Sequence, residues 1–354
     1  MGEFGAGICV DFFENKLFGS WINPAISKIV TTTISNRLIQ DLLIDPTFGM
    51  FTVAITYAIA IVFPIVTAFF ILFGIMEDSG YLPRFAVMVN RFFKIIGLNG
   101  KAVLPLVLGL GCDTMATMTA RILSTKKERI IVTLLLALGI PCSAQLGVIM
   151  GMAASLSFVM AMIIIVSVIS SMLFVGYLSS KIIPGITSDF IQEIPPIRIP
   201  ELKNILIKTG ARVRWYLREA VPLFIIGTFM LFLFSKLGIM TWLEKVSTPI
   251  IVNLLGLPKE ATRAFLIGFL RRDYAATELF VLTRTVGLDP IQIVVGLVTI
   301  TLFVPCIAQL FIIIKEQGIR LAFLIVSFVF IFAIAAGGIL NQILRIPFIM
   351  NIIK

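Results

Sequence analysis

Apolar residues in this chain come neither in strict alternation nor as one stripe of an otherwise polar helix, but in long continuous runs. Eight such segments lie at about 50–76, 102–123, 130–152, 154–178, 219–236, 264–283, 290–314 and 320–342. A run of roughly 20 apolar residues is what an α-helix needs to cross about 30 Å of hydrocarbon. A membrane barrel would instead show period-two alternation, so every segment is predicted to be helical. The expected fold class is therefore all-α, a polytopic helical membrane protein.

Residues 1–46 are mixed, with amphipathic stretches such as "ISNRLIQDLLI", and are expected to form interfacial helices. The longest polar stretch, 179–218, divides the segments four and four. It holds a proline-rich passage, then a basic amphipathic helix with Trp215 and Tyr216, of the kind that lies in the interface plane. The expected division is an interfacial segment 1–46, a first repeat 47–178, the connection 179–218, a second repeat 219–342 and a tail 343–354.

The two halves resemble each other. "IGLNGKAVLPLVLGLGCDTMATMTARIL" from Ile96 can be laid on "LGLPKEATRAFLIGFLRRDYAATELFVL" from Leu255. In each a glycine (Gly109, Gly268) is followed within five residues by an acid (Asp113, Asp273). Further on, "IPCSAQL" from Ile140 matches "VPCIAQL" from Val304 at five of seven positions. Transporters commonly place their site between such duplicated units, on broken helices. Segments 102–123 and 264–283 either cross or re-enter, and the Lys/Arg balance of the loops is the same in both arrangements. Re-entry is expected, because it makes the repeats inverted and keeps the polar centres of those segments inside protein. It places residues 1–46 outside and 179–218 in the cytoplasm.

Composition narrows the function. The chain is 59% hydrophobic and 14% charged, with mean hydropathy +1.06. Its net charge of +10 resides in the connecting segments, which points to orientation and anionic lipid rather than nucleic acid. The first residues have neither the basic start nor the apolar core of a cleavable signal. Three of four cysteines lie in apolar segments, which argues against a disulfide framework. Histidine is absent, so metal chemistry has to use thiolate, thioether, carboxylate, hydroxyl or carbonyl groups. There is no phosphate-loop motif and no Ser/His/Asp triad, so a transporter is expected rather than an enzyme.

The candidate residues cluster at predicted helix breaks. Gly109 and Gly111, with Pro105, weaken the helix beside Cys112, Asp113 and Thr114. A buried aspartate at mid-bilayer costs at least ~2.5–3.5 kcal/mol, so it needs a partner or a task. The alternative is glycine-mediated packing, with Asp113 near the interface. Pro141 frees the carbonyl of Ala137 and bends its helix, placing Cys142, Ser143 and Gln145 at the bend. Its copy supplies Pro305, Cys306 and Gln309. Glu77 and Asp78 follow an apolar helix, either as an interfacial acid pair or as further ligands. Arg271, Arg272, Asp273 and Glu278 interrupt a second apolar segment as internal ion pairs or as ligand contacts.

In order along the chain, "EDSGYLPR", "IGLNGKAVLPLVLGLGCDTMATMTARIL", "PCSAQL", "PPIRIPELKNILIKTGARVRWYLREA", "GFLRRDYAATELFVL" and "VPCIAQL" resemble the membrane portion of the ferrous iron transport protein B family, over about residues 47–342. The resemblance implies two gate repeats with cysteine motifs and a permease for divalent metal, most simply Fe²⁺. The metal would pass a route lined by Cys112, Asp113, Cys142, Ser143 and Cys306. No permanently bound cofactor is implied. The expected partners are the lipid bilayer, a separate small G protein or cytoplasmic accessory protein, and further copies of the chain, in the inner cell membrane. The family's usual G domain and first transmembrane helix have no counterpart ahead of the matched region. Asp113 and Thr114 stand where the family commonly has Asn-Val, and Gln145 where it commonly has arginine. Gate repeats also resemble nucleoside-recognition membrane proteins, so an organic-solute transporter or sensor, or a sporulation-related assembly factor, is the alternative.

Overall fold

The computed structural model describes residues 12–33, a few positions between 40 and 60, 63–153, 156–188, 192, 196–270, 272–303 and 305–346. Among these the chain is helical, with no strand. It forms two compact units: one holds residues 1–82 and 194–240, the other 83–193 and 241–354. "ISNRLIQDLLI" and Cys9 fall largely or wholly outside the described residues.

In the first unit a π-helical segment, Phe12–Ile22, leads into α1 (Asn23–Thr33), and α2 spans Phe63–Asp78. Against α2 packs α9 (Leu202–Lys236). The basic amphipathic stretch and the apolar stretch after it thus form one 35-residue helix that continues through Pro222. Gly74 permits the contact: a Cβ there would stand 3.2 Å from Ile205 Cγ2.

The second unit holds the duplicated motifs, and the copies match element by element. After α3 (Tyr81–Ile95) come α4 (Val103–Gly109), α5 (Asp113–Thr119), α6 (Lys126–Gly139), α7 (Ser143–Ala153) and α8 (Phe158–Ile182). After α10 (Ile239–Asn253) come α11 (Ala261–Leu270), α12 (Arg272–Thr285), α13 (Pro290–Leu302), α14 (Ile307–Gln317) and α15 (Ile319–Leu344). Each set is a pair of short helices, a span broken at a Pro-Cys step, and an unbroken span.

Each short pair folds back on itself. A Cβ on Gly268 would lie 2.6 Å from Ala275 Cβ, although seven residues of continuous helix would separate them by about 10 Å. Seven residues of α4 or α5 rise only about 10 Å, too little to cross the hydrocarbon. By contrast Lys126–Ala153, Phe158–Ile182, Pro290–Gln317 and Ile319–Leu344 are long and apolar enough to cross. Segments 102–123 and 264–283 therefore each hold a folded-back pair of short helices rather than one unbroken span.

Packing repeats the symmetry. Within each copy α5 meets α6 as α12 meets α13, and α6 meets α8 as α13 meets α15. Between copies α5 lies on α14 and α12 on α7, while α8 lies on α13 and α15 on α6. The broken spans are interior, with residues 131–139 and 293–302 buried throughout. The unbroken spans turn Phe158, Val166, Phe174, Phe323, Leu324 and Ile331 outward, as a lipid-facing wall requires. The starts of both broken spans are anchored alike. Thr125 and Glu128 form a capping box on α6, and buried Glu128 also accepts from Asn99 and Ser188. Gln292 at α13 accepts from the Asp289 amide and donates to Gly256 O.

Candidate functional site

Four helix breaks, two from each repeat, come together inside the second unit. At three of them a cysteine is the last residue before the next helix: Cys112 before α5, Cys142 before α7 and Cys306 before α14. The corresponding position before α12, Arg271, lies outside the described residues. The three thiols are free and half-buried. Asp113 lies within electrostatic range of all three, and Cys306 within range of the other two. No three His, Cys, Asp or Glu side chains among the described residues form a ready metal cluster. The thiols are thus neighbours around one carboxylate rather than a closed set of ligands.

The carboxylate is held by a residue from the other repeat. Arg272, the first residue of α12, pairs with Asp113, the first residue of α5, at 3.1 Å, and each side chain is 3% exposed. The same guanidinium donates to Ile140 O at 3.1 Å, Phe303 O at 2.9 Å and Ala137 O. Ala137 O is the carbonyl that Pro141, lacking an amide proton, cannot satisfy. Ile140 and Phe303 cap the C-termini of α6 and α13, where the helix dipole is negative. One cation therefore answers the oxygen-rich ends of both interior spans.

Laying the sequence from Ile96 on that from Leu255 without a gap sets Asp113 opposite Arg272. The matching of Asp113 with Asp273 is one residue out of step: structurally, the acid of the first repeat is replaced by a base in the second. Asp113 is thus buried within the protein and ion-paired.

The glycines and the remaining donors take definite places. A Cβ on Gly109 would come within 2.5 Å of Leu136 Cδ2 and 3.3 Å of Asp113 Oδ1, so the hairpin needs glycine to approach α6. Ser143 donates its amide and hydroxyl to Gly111 O at 3.3 and 3.1 Å, which ties the hairpin tip to the start of α7. Its hydroxyl proton is thereby used. Thr114 is buried near Cys306. Gln145 and Gln309, on the first turns of α7 and α14, are both fully buried. Gln309 Nε2 reaches Thr117 Oγ1 at 3.4 Å, while its Oε1 and both amide atoms of Gln145 have no hydrogen-bond partner among the described residues. The counterpart of Thr117 is Ala276, which has no hydroxyl to offer Gln145. Asp273 and Glu278 are half-buried on α12, with Asp273 O accepting from Thr277.

Glu77 and Asp78 belong to the first unit, at the C-terminus of α2. There negative charge is disfavoured by the helix dipole. Two cations of α9 offset this: Lys208 reaches Asp78 at 2.6 Å and Arg212 reaches Glu77 at 2.6 Å. The hydrogen bond to Asp78 raises the Lys208 pKa above the ordinary lysine value. Arg212 also lies over the Phe73 ring, 5.1 Å from its centroid. Both acids are thus ion-paired with cations of the amphipathic helix.

The structural pairing agrees with comparison to known proteins. The gate family model, described as nucleoside recognition, matches residues 59–156 and 217–320. A second model, Ferrous iron transport protein B C terminus, matches 148–212. The Fe(2+) transporter FeoB of Methanocaldococcus jannaschii is 26% identical over 351 residues, covering 90% of this chain and 52% of the relative. That of Staphylococcus aureus strain COL is 27% identical over 315 residues, covering 80% and 46%. The Salmonella typhimurium protein of that name is 27% identical over 181 residues, covering 50% and 23%. The chain spans about half the length of the first two of these relatives. No solved structure matches. With its two gate matches together taking in more than half of its residues, the chain belongs to the gate family and is similar over most of its length to the Fe(2+) transporter FeoB.

Proposed function

We propose that this chain is the permeation unit of a divalent-metal transporter of the inner cell membrane, with Fe²⁺ as its substrate. The observation that carries the reading is the meeting of helix breaks from both repeats at one buried carboxylate, with Cys112, Cys142 and Cys306 standing around it. Broken helices expose carbonyls and amides inside a bilayer only where protein or a polar passage receives them. Fe²⁺ is a borderline acid, so a mixture of thiolate, carboxylate, hydroxyl and carbonyl donors suits a route that binds and then releases it. The similarity to relatives named Fe(2+) transporter supports the same reading. On this reading the chain is not itself an enzyme, holds no permanent cofactor, and draws any GTP-dependent control from a separate G domain or accessory protein.

Uptake by proteoliposomes containing this chain alone tests the reading. Fe²⁺ supplied under reducing conditions is expected to accumulate well above empty vesicles, and Mg²⁺ much less. Binding of tritiated nucleoside without metal flux would instead support the nucleoside-recognition alternative, which the description of the gate family favours. The absence of both would leave the repeats as packing units of an assembly factor.

A further inference from the structure

The environment of Arg272 is that of a bound cation. Its guanidinium takes one carboxylate oxygen, from Asp113, and three main-chain carbonyl oxygens, from Ala137, Ile140 and Phe303. An all-oxygen set of one carboxylate and several carbonyls is also what a hard or borderline metal ion accepts. More acceptors are present than the arginine uses. Among the described residues Asp113 Oδ1 has no hydrogen-bond partner, and neither do Gln145 Oε1 and Gln309 Oε1 on the first turns of α7 and α14, at residues 3%, 0% and 0% exposed. Buried oxygens left unsatisfied carry a free-energy cost unless something positive meets them.

We propose that Arg272 is a tethered cation that occupies the oxygen site at Asp113 when the pathway is empty, and that a divalent metal passes by displacing it. This rests on the permease reading and names how the same site is closed. Without a cation, Asp113 and three carbonyls at the negative ends of α6 and α13 would face one another in a low-dielectric interior. With both cations present, the guanidinium and the metal would share the same ligands and repel each other. Exchange satisfies both limits: the metal takes Asp113 and the carbonyls, and Arg272 swings away from them. Arg272 is the first residue of α12, so its departure disturbs only the end of that helix.

The consequence is a reduced apparent affinity. If the arginine is seated for ~90% of the time or more, metal binding is weakened at least ~tenfold relative to the open site. The test is Mn²⁺ binding, read by electron paramagnetic resonance, to the whole chain in nanodiscs. Arg272→Gln is expected to bind Mn²⁺ about tenfold more tightly than wild type, or better. In Asp113→Asn/Arg272→Gln the gain should vanish. Arg272→Lys keeps the charge but as a compact ammonium on a different stem, unable to fork between the carbonyls, so a smaller gain is expected.

If Arg272→Gln, shown to be folded by size-exclusion chromatography and thermal melting, binds no more tightly than wild type, the proposal is wrong. It is equally wrong if the gain persists in the double variant. Should Arg272→Gln fail to fold, Arg272→Lys decides alone, and the absence of a gain overturns the idea. The two readings fail separately. Asp113-dependent tightening in a chain that carries no Fe²⁺ retains the tethered cation and removes the permease. Fe²⁺ flux through wild type with unchanged binding in Arg272→Gln does the reverse.

Discussion

Asp113 and Arg272 occupy the same position in two copies of one motif, and they form a buried ion pair at 3.1 Å. Corresponding helices of the two copies contact one another reciprocally, and these two equivalent residues meet among them. Opposite charges at the equivalent positions turn what would be self-repulsion into attraction. A single charge pair thus stands where the broken helices of both repeats meet.

The pair is asymmetric in its support, and its stability effects should be too. Arg272 without Asp113 keeps three carbonyl acceptors, whereas Asp113 without Arg272 keeps no hydrogen bond from any other side chain among the described residues. Removing one member of a buried pair typically costs about 3–5 kcal/mol because the other charge is stranded. Arg272→Met is expected at the upper end of that range and Asp113→Asn at less than half of it. The double variant should recover most of the loss. Denaturant unfolding in bicelles measures all three, and equal losses for the two single variants would contradict the stranded-charge account.

Gln145 offers a second test of the pseudo-symmetry. Its counterpart Gln309 has the Thr117 hydroxyl, and the position equivalent to Thr117 is Ala276. Ala276→Ser should give the Gln145 amide a partner. A new buried hydrogen bond contributes about 0.5–1.5 kcal/mol, and the lower helix propensity of serine takes back up to about 0.5 kcal/mol. A net gain of up to about 1 kcal/mol is expected from the same unfolding assay. Destabilisation would mean that the two glutamines do not face equivalent surroundings.

Much of this arrangement was legible in the sequence, and its limits are instructive. Long apolar runs specified the helices, and the duplicated Pro-Cys-x-Ala-Gln-Leu string located both interior breaks, because proline removes a donor wherever it stands. Gly109 and Asp113 marked a hairpin for the same local reason. The partner of Asp113 was not legible. Arg272 lay among the charges of a second segment, but nothing local decides between pairing within that segment and pairing 159 residues away. Matching acid to acid obscured it, since the repeats conserve position here while reversing charge. The use of Glu77 and Asp78 as counter-ions for Lys208 and Arg212 was hidden similarly, because it depends on α9 packing on α2.

That counter-ion set has a pH signature. The Lys208 pKa is raised, first by the hydrogen bond to Asp78 and then by the Glu77 and Asp78 charges, with burial and Arg212 opposing. A raised folded-state value means that the contribution is fully present below the ordinary lysine value of 10.5 and is lost as pH climbs through the folded one. Lys208 is 41% exposed, so the contribution is small, within the usual ~0–1 kcal/mol of a solvent-screened pair. Stability of wild type minus that of Lys208→Met should therefore be flat from neutral pH to about 10 and shrink only above it. A difference that already falls between pH 6 and 8 would show that another group controls this contact.

The three cysteines distinguish passage from packing. Each stands at the last residue before a half-helix, near Asp113, yet no three acidic or thiol ligands are arranged as a closed metal cluster among the described residues. If they serve a moving ion in turn, serine at Cys112, Cys142 or Cys306 should lower Fe²⁺ flux several-fold while leaving the melting temperature nearly unchanged. Serine keeps size and polarity but removes the soft donor, so the loss should be greater for Fe²⁺ or Co²⁺ than for Mg²⁺. A packing role predicts the opposite: a lowered melting temperature, and residual flux reduced equally for every metal. Cys9 lies outside both repeats, and Cys9→Ser is the internal control, expected to be silent. Flux of several metals through the four single variants, with thermal melting of each, reads both outcomes in one experiment. Equal effects at all four positions, or none at the three, would leave Asp113 and the backbone carbonyls as the only ligands of the passage.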